Sequence, residues 1–480
     1  MMREQNGYLT VYMAMCLGII LSLCLTLIDG VRRNGAALEA ACVTDIGMQS
    51  ILAEYHRQLL EQYNLFALDS SYGTASYGSY NTEAHLLGYL EKNIILDDVL
   101  ASAFFYRDFL ALQIEGVEMT GMSILTDGGG AVFRRRASEA VQDDVLLSAL
   151  EEIREWTEVV SINGLDGADT KEEKQTLDRR LREYEYEDEE GQMQTGVENP
   201  TSVLEEIRSL GILRLVLEDD SQVSQNTLDL TGLVYSRMKQ GKVSRGNLPL
   251  AAALWTEDLA ERFFFQEYLL RYMGRYGKLD ERDALCYQIE YLIAGNENDT
   301  DNLRSVANRL CTLREAANAM YLWSDSEKMQ EVKAAAGLIS AIVLQPQLAP
   351  VLEAAIVLGW AYAESVYDVK SLLSGGRIPL MKDKSSWHYS LQNALSGGLG
   401  EYTEEGKGLT YEDYLRIFLW LTNLEDLTGR AMDMVEADMR MTSGNENFCL
   451  DGCYDRVEFD IRMSSGFGYE FQLVRGRGYS

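Results

Sequence analysis

The sequence predicts an α+β chain, mostly helical, with one N-terminal transmembrane helix, a stalk helix and a helical body carrying a small antiparallel sheet. Three observations carry that reading. Residues 9–28 are twenty consecutive positions without a charge or a proline, and about 20 apolar helical residues cross a bilayer's hydrocarbon core. Apolar residues recur at three- and four-residue steps over most of the chain, and only five prolines interrupt 480 residues, so helices can run unbroken. Alternation of apolar and polar residues, the mark of half-buried strands, appears near 112–120 and again at the C-terminal end.

The elements follow in order. Residues 1–33 form a leader and anchor whose only small hydroxyls are Thr10, Ser22 and Thr26; an unbroken helix satisfies each backbone amide within lipid. Residues 34–68 form an amphipathic stalk, because Leu38, Ala41 or Cys42, Met48, Leu52, Tyr55, Leu59, Tyr63 and Phe66 keep a helical spacing. Anchor and stalk together predict one helix over residues 8–66, roughly 88 Å long at 1.5 Å per residue. Residues 69–480 form an acidic body, with a second candidate boundary near 185–200. Within it, 69–82 is a turn-rich loop, 83–108 a helix, 112–120 a strand, and the three glycines at 128–130 break the chain.

Residues 136–162 and 170–184 predict charged helices, 184–191 an exposed acidic linker, and Asn199 to Ser202 the cap of the next helix. A helix is expected over 256–276. Residues 285–293 fit a strand or a helix, and Gln288 and Glu290 between Tyr287, Ile289 and Tyr291 tip the expectation to a strand. The polar residues 296–301 cap a helix at 302–323, and helices follow at 327–344, 348–374 and 410–440. Residues 448–463 and 467–475 alternate around Ser464, Ser465 and Gly466, which predicts a C-terminal hairpin.

Charge limits the partners. The net charge is −32; residues 1–33 carry Arg3, Glu4, Asp29, Arg32 and Arg33, a net +1, which leaves −33 on the remainder. Such a body repels nucleic acid and, beyond about a Debye length, anionic lipid headgroups, so no nucleic-acid partner is expected; the lipid bilayer is expected as a partner through the anchor. Seven cysteines fit no complete disulfide framework. Cys16 and Cys24 lie in the anchor, and Cys449 and Cys453 are near enough to form a disulfide outside the cell, or stand as two unrelated thiols. The apolar run exceeds a signal peptide's h-region of roughly 7–15 residues, and charges separate it from the small residues Gly35, Ala36 and Ala37. A retained anchor is expected.

Tests for chemistry find no constellation. His56, His85 and His388 share no metal-ligand spacing, and no Gly-x-Ser-x-Gly elbow occurs. Residues 296–301 cluster oxygen ligands but lack the glycine and closing glutamate of an EF-hand. Ser236 and Lys239 fit Ser-x-x-Lys without its companion motifs, and the glycines at 128–130 and 397–400 match no phosphate-binding spacing. No catalytic, cofactor or metal residue is therefore assigned, and a non-enzymatic role is expected. The rival readings are an anchored cell-wall hydrolase using two of the 75 acidic residues and a cation- or ligand-binding surface sensor.

The segment Gly7-Tyr8-Leu9-Thr10-Val11-Tyr12, its apolar helix, and the exit Asp29-Gly30-Val31-Arg32-Arg33 resemble the N termini of TadE/TadG-like pseudopilins. Residues 38–45 are similar to the segment that follows in that family. The resemblance covers about 60 residues and implies a minor, membrane-anchored component of a tight-adherence (Tad) pilus or secretion system. It further implies leader-peptidase processing at Gly7 and Tyr8, helix packing through Thr10, Val11, Tyr12 and Asp29, and other Tad-type components as partners. Tyr12 stands where type IV prepilins carry glutamate, five residues after the cleavage glycine. Residues 63–69, 287–295, 360–368 and 411–414 resemble an uncharacterised family of large anchored proteins from Tad-type loci of Gram-positive anaerobes. Arg32 and Arg33 favour a cytoplasmic body by the positive-inside rule; the resemblance implies the opposite, a single-pass membrane protein with an extracellular body, and that localisation is expected.

Overall fold

The computed structural model describes residues 5–94, 111–145, 148–167, 170–187, 192–197, 199–217, 219, 223–249, 258–279, 282–342, 345–397 and 407–479. The chain is mostly helical. Its described strands are β1 (Leu68–Asp69), β2 (Leu112–Ile124), β3 (Glu185–Glu187), β4 (Met193–Thr195), β5 (Cys453–Ser465) and β6 (Glu470–Gly478). Two compact units emerge, each assembled from separated stretches. Unit 1 takes Met1–Arg136, Gly241–Thr256 and Thr442–Ser480; unit 2 takes Ala137–Gln240 and Glu257–Met441. Residues 185–200 fall inside unit 2.

Unit 1 contains helices α1 (Gln5–Leu52), α2 (Arg57–Tyr63), α3 (Ser79–Ile94) and most of α4 (Asp127–Glu139). Its sheet is antiparallel and centred on β5, which pairs with β2 on one side and with β6 and β1 on the other. The strand period of two sends Val457, Phe459, Ile461 and Met463 to one face. There they meet Ala36, Ala40, Val43, Met48 and Ile51 of α1 and Leu86 and Leu90 of α3 in a shared core. Each buried Val, Leu, Ile, Phe or Met side chain among them contributes about 1.5–3 kcal/mol. The expected C-terminal hairpin is present, although β5 starts at Cys453 after a short 3-10 turn and its connection falls at 466–469 rather than 464–466. Gly128, Gly129 and Gly130 break the chain as expected, all three with positive φ (64°, 69° and 84°) that a side chain would strain.

The expected single helix over residues 8–66 is corrected: α1 ends at Leu52. His56 leaves the helical conformation, its Nδ1 accepts the Leu59 N–H at 3.1 Å, and its own N–H donates to the Ala67 carbonyl at 2.9 Å. The apolar spacing carries across this break because α2 resumes it after one cap, but Leu38 and Cys42 of the expected stripe are exposed, and Ala36, Ala40 and Val43 face the core instead. Of the helix expected over 83–108, α3 accounts for the first part; residues 95–108 lie outside the described residues.

Unit 2 contains α5 (Ser148–Ile162), α6 (Thr170–Arg182), α7 (Ser202–Ser209), α8 (Ile212–Val216), α9 (Val234–Lys239), α10 (Leu259–Tyr272), α11 (Gln288–Ala294), α12 (Asp299–Ser324), α13 (Ser326–Ile342), α14 (Ala349–Leu373), α15 (Leu391–Leu395), α16 (Tyr411–Leu421) and α17 (Leu424–Met441). Helix α14 packs against α12 and is buried along most of its length. Its flank on α7 is close: a Cβ at Gly359 would lie 2.3 Å from the Thr201 methyl.

Several expectations change here. Residues 288–294 are helix, not strand, because Gln288 and Glu290 are as buried as Ile289 and Tyr291; the alternation did not mark an inside and an outside. The helix expected over 410–440 is two, since Thr422 turns extended and Asn423 accepts the Glu425 N–H at 2.9 Å to start α17. The helix expected over 136–162 divides between α4 and α5, with tight turns at 141–144. The acidic linker supplies β3, paired with β4; residues 188–191 lie outside the described residues. Thr201 occupies the α7 cap position without a side-chain cap bond, and Asn199 Oδ1 accepts from its N–H at 2.9 Å instead. The polar loop does cap α12, through Asn298 Oδ1 and the Asp301 N–H at 2.8 Å.

Candidate functional site

Helix α1 presents two surfaces in succession. Every large apolar side chain from Tyr8 to Val31 is at least half exposed, while Ala36, Ala40, Val43, Met48 and Ile51 are buried in the unit 1 core. A helix apolar on all sides suits a hydrocarbon environment, and an amphipathic one suits a protein core. Thr10, Val11 and Tyr12 all lie on the exposed apolar part, Gly7 lies inside the first turns of the helix, and Tyr8 is 80% exposed. Asp29 is the first charge after the run and accepts the Tyr469 hydroxyl. A second segment, Pro346–Leu373, is also long and apolar, but 72% of its most apolar window is buried; it is a core helix.

That core helix carries the most concentrated polar chemistry in unit 2. Glu364 and Asp368 stand one turn apart on α14, both fully buried, where unpaired carboxylates would be costly. Arg314 of α12 answers Asp368: its Nε lies 3.0 Å from Oδ2, and its remaining nitrogens donate to the Pro379 and Leu380 carbonyls (3.0 and 2.6 Å), the Tyr414 hydroxyl (3.1 Å) and Asn318 (3.2 Å). Lys382, with no side-chain exposure, makes ion pairs to Glu364 and, at 2.6 Å, to Asp368 Oδ1. Glu364 also accepts the His388 and Tyr389 backbone N–H groups at 3.0 and 2.9 Å and faces His388 Nδ1 at 3.2 Å. Burial pushes its carboxyl up, but the His388 ring, the Lys382 ammonium and the Tyr389 N–H outweigh that and hold it at about 2.

Glu364, Asp368 and His388 offer ligand atoms within 4.8 Å of one another. Lys382 already supplies a cation there, and with Arg314 it balances both carboxylates, so the residues do not require a metal. Aromatic rings close the layer: His388 stacks on Tyr367 at 4.1 Å, and the Lys328 ammonium lies 4.6 Å from both the Trp360 and Trp387 ring centres. The arrangement is a fully paired ionic layer that fixes the packing of α12, α14 and the 378–389 segment. Linear spacing hides it, since Arg314 and Lys382 lie far from α14's acids in sequence. The available signal was two acids one turn apart inside an apolar run, which demand buried partners.

A second buried layer joins α11, α16 and α17. Burial raises Glu290 to about 7 despite bonds from the Tyr411 hydroxyl (2.8 Å) and the Tyr276 N–H (3.1 Å). Burial likewise raises Asp433 to about 7 against bonds from the Tyr235 N–H (2.8 Å) and the Tyr291 hydroxyl (3.1 Å).

The other residues singled out in the sequence have local partners. Asp299 accepts the Cys286 and Tyr287 N–H groups at 2.9 and 3.0 Å and the Ser224 hydroxyl at 2.6 Å, so the oxygen-rich loop is spent on tying residues 224 and 286–287 to α12, with Asn298 as its cap. His85 pairs with Glu54 at 3.0 Å and stacks on Tyr72. Ser236 accepts from Gln240, and Lys239 lies 3.9 Å over the Tyr235 ring. Cys449 and Cys453 are free thiols, with Cys453 Sγ donating to the Cys449 carbonyl at 3.5 Å. A groove of about 600 Å³ between α5, α10 and the α16–α17 turn includes Arg154, Arg262 and Trp420 in its wall, with Glu158 the one acid among its lining residues. It offers no carboxylate pair.

A model of a family of unknown function (DUF5702) matches residues 190–465, more than half of the chain. The chain belongs to this family. No curated protein and no solved structure matches it. The DUF5702 match takes in both buried layers and β5, while α1, β2 and β6 lie outside it.

Proposed function

We propose that this chain is a single-pass membrane protein with a structural or assembly role, a minor pseudopilin-like component of a Tad-type pilus or secretion system. One observation supports it above the others: α1 is a single 48-residue helix whose first half is apolar all round and whose second half is built into the core of unit 1. Such a helix couples a bilayer mechanically to a folded unit without an intervening linker. The Gly7–Arg33 resemblance supplies the Tad-type assignment, and the acidic body suits an extracellular position.

Co-purification from native membranes in mild detergent tests the assignment. The tagged full chain is expected to bring down other Tad-type components, and α1 variants carrying Ile20→Arg are expected to lose both membrane and partners. Recovery of the intact chain alone would count against the assembly role. Protease shaving of whole cells tests topology: the body is expected to be digested from outside, and its survival, with permeabilised cells digested, would place it in the cytoplasm. Intact mass of the purified chain tests processing, which would leave Tyr8 as the first residue.

A further inference from the structure

The β5–β6 hairpin lies along α1, and its two ends can be placed on the helix. Near the C-terminus the Tyr479 hydroxyl donates to the Leu52 carbonyl at 2.9 Å. Midway, Arg475 and Arg477 reach Asp45 at 3.5 and 3.6 Å. At the turn, the Tyr469 hydroxyl donates to Asp29, and Arg32 lies 4.6 Å over the Phe467 ring. The two paths agree in length: ten strand residues span ~33 Å at 3.3 Å each, and the matching 23 helical residues span ~35 Å at 1.5 Å each. Strand and helix therefore run side by side, and the hairpin turn is level with Asp29, one residue beyond the uncharged run.

From this juxtaposition we infer that the hairpin turn is a second membrane contact, with Phe467 seated in the lipid headgroup layer and Arg32 and Arg33 on lipid phosphates. The inference rests on the reading of α1 as a membrane span. If residues 9–28 fill the hydrocarbon core, Asp29 to Arg33 lie in the interface, and the turn that touches them lies there too. Its chemistry fits. Phe467 is 45% exposed at the tip of a turn, and Arg32 and Arg33 are both exposed. Phenylalanine on interfacial segments seats at the headgroup–acyl boundary, tyrosine such as Tyr469 is enriched there, and arginines at a span's end reach toward the interface. The Tyr469 bond satisfies Asp29, the one acid at that level of the helix, which would otherwise face anionic headgroups. Two contacts, one helical and one at the hairpin tip, fix the rotation of α1 and the depth of unit 1.

Site-directed spin labelling of the full chain tests this in vesicles of phosphatidylcholine and phosphatidylglycerol. A ketoxime nitroxide on an unnatural keto residue leaves the seven cysteines untouched; it is placed at Ile20, Phe467 or Val474 in separate samples. Collision with oxygen against a water-soluble nickel complex reports depth. The label at 20 is expected deep in hydrocarbon, that at 474 fully aqueous, and that at 467 at headgroup depth, with nickel access reduced several-fold from position 474. A label at 467 as accessible as 474, with 20 still deep, overturns the second contact and leaves the anchor standing. An aqueous label at 20 overturns the anchor and this inference with it. A label at 467 shielded from both relaxers shows a contact between copies of the chain and overturns the lipid assignment.

Discussion

Replacing Arg314 with methionine is expected to destabilise the protein by about 3–5 kcal/mol, because removing one partner leaves a buried charge uncompensated. Arg314 has no side-chain exposure, and Asp368 beneath it has none. The substitution strips Asp368 Oδ2 of its 3.0 Å guanidinium and frees the Pro379 and Leu380 carbonyls that the same group holds. Urea unfolding of the full chain in detergent micelles reads the loss as a lower midpoint. The double variant Arg314→Met with Asp368→Leu is expected to recover much of it, since apolar groups of similar volume often replace a buried pair without net cost. A loss near 1 kcal/mol for Arg314→Met alone would mean that water reaches the layer.

The second large effect is on pH. Glu290 and Asp433 are both raised to about 7 in the folded protein. The fold therefore holds these protons at pH values where the unfolded chain has released them. Stability falls as pH climbs from about 4 to 7 and levels off above, Glu290 accounting for about 3 kcal/mol and Asp433 for about 4. Glu364, held at about 2, acts in the opposite sense and only in acid: its contribution is complete above the ordinary glutamate range and is lost as pH falls toward 2. Unfolding free energy measured between pH 5 and 8 therefore separates the raised pair from Glu364. Glu290→Gln keeps an oxygen for the Tyr411 and Tyr276 donors and cannot ionise. It is expected to be about 2 kcal/mol more stable than the parent at pH 8, the ionisation cost of about 3 kcal/mol less about 1 for an unmade amide bond, and to flatten the slope. Unchanged slope in that variant would contradict the assignment.

Much of the fold was readable from local rules, and the exceptions share a cause. The alternation of Val457, Phe459, Ile461 and Met463, the Asn298 cap and the uncharged run of α1 are set by neighbours within a few residues. Residues 288–294 misled because apolar–polar alternation means a strand only when the polar positions face water, and Gln288 and Glu290 face the core. The α1–α2 break was hidden because a one-residue cap at His56 preserves the apolar spacing. The α14 ionic layer joins residues 314, 364, 368, 382 and 388, a set defined by packing rather than by spacing. The long apolar helix of α1 was legible because it depends on composition, whereas the hairpin turn beside it depends on a contact 440 residues away.

The central claim is that α1 integrates the chain into a bilayer, and alkaline carbonate extraction of native membranes tests it directly. The full chain is expected to remain in the membrane pellet at its unprocessed mass or the mass beginning at Tyr8, while a variant lacking residues 8–31 is released. Release of the full-length chain by carbonate, or its recovery only as a soluble form cleaved beyond Arg33, would contradict the account.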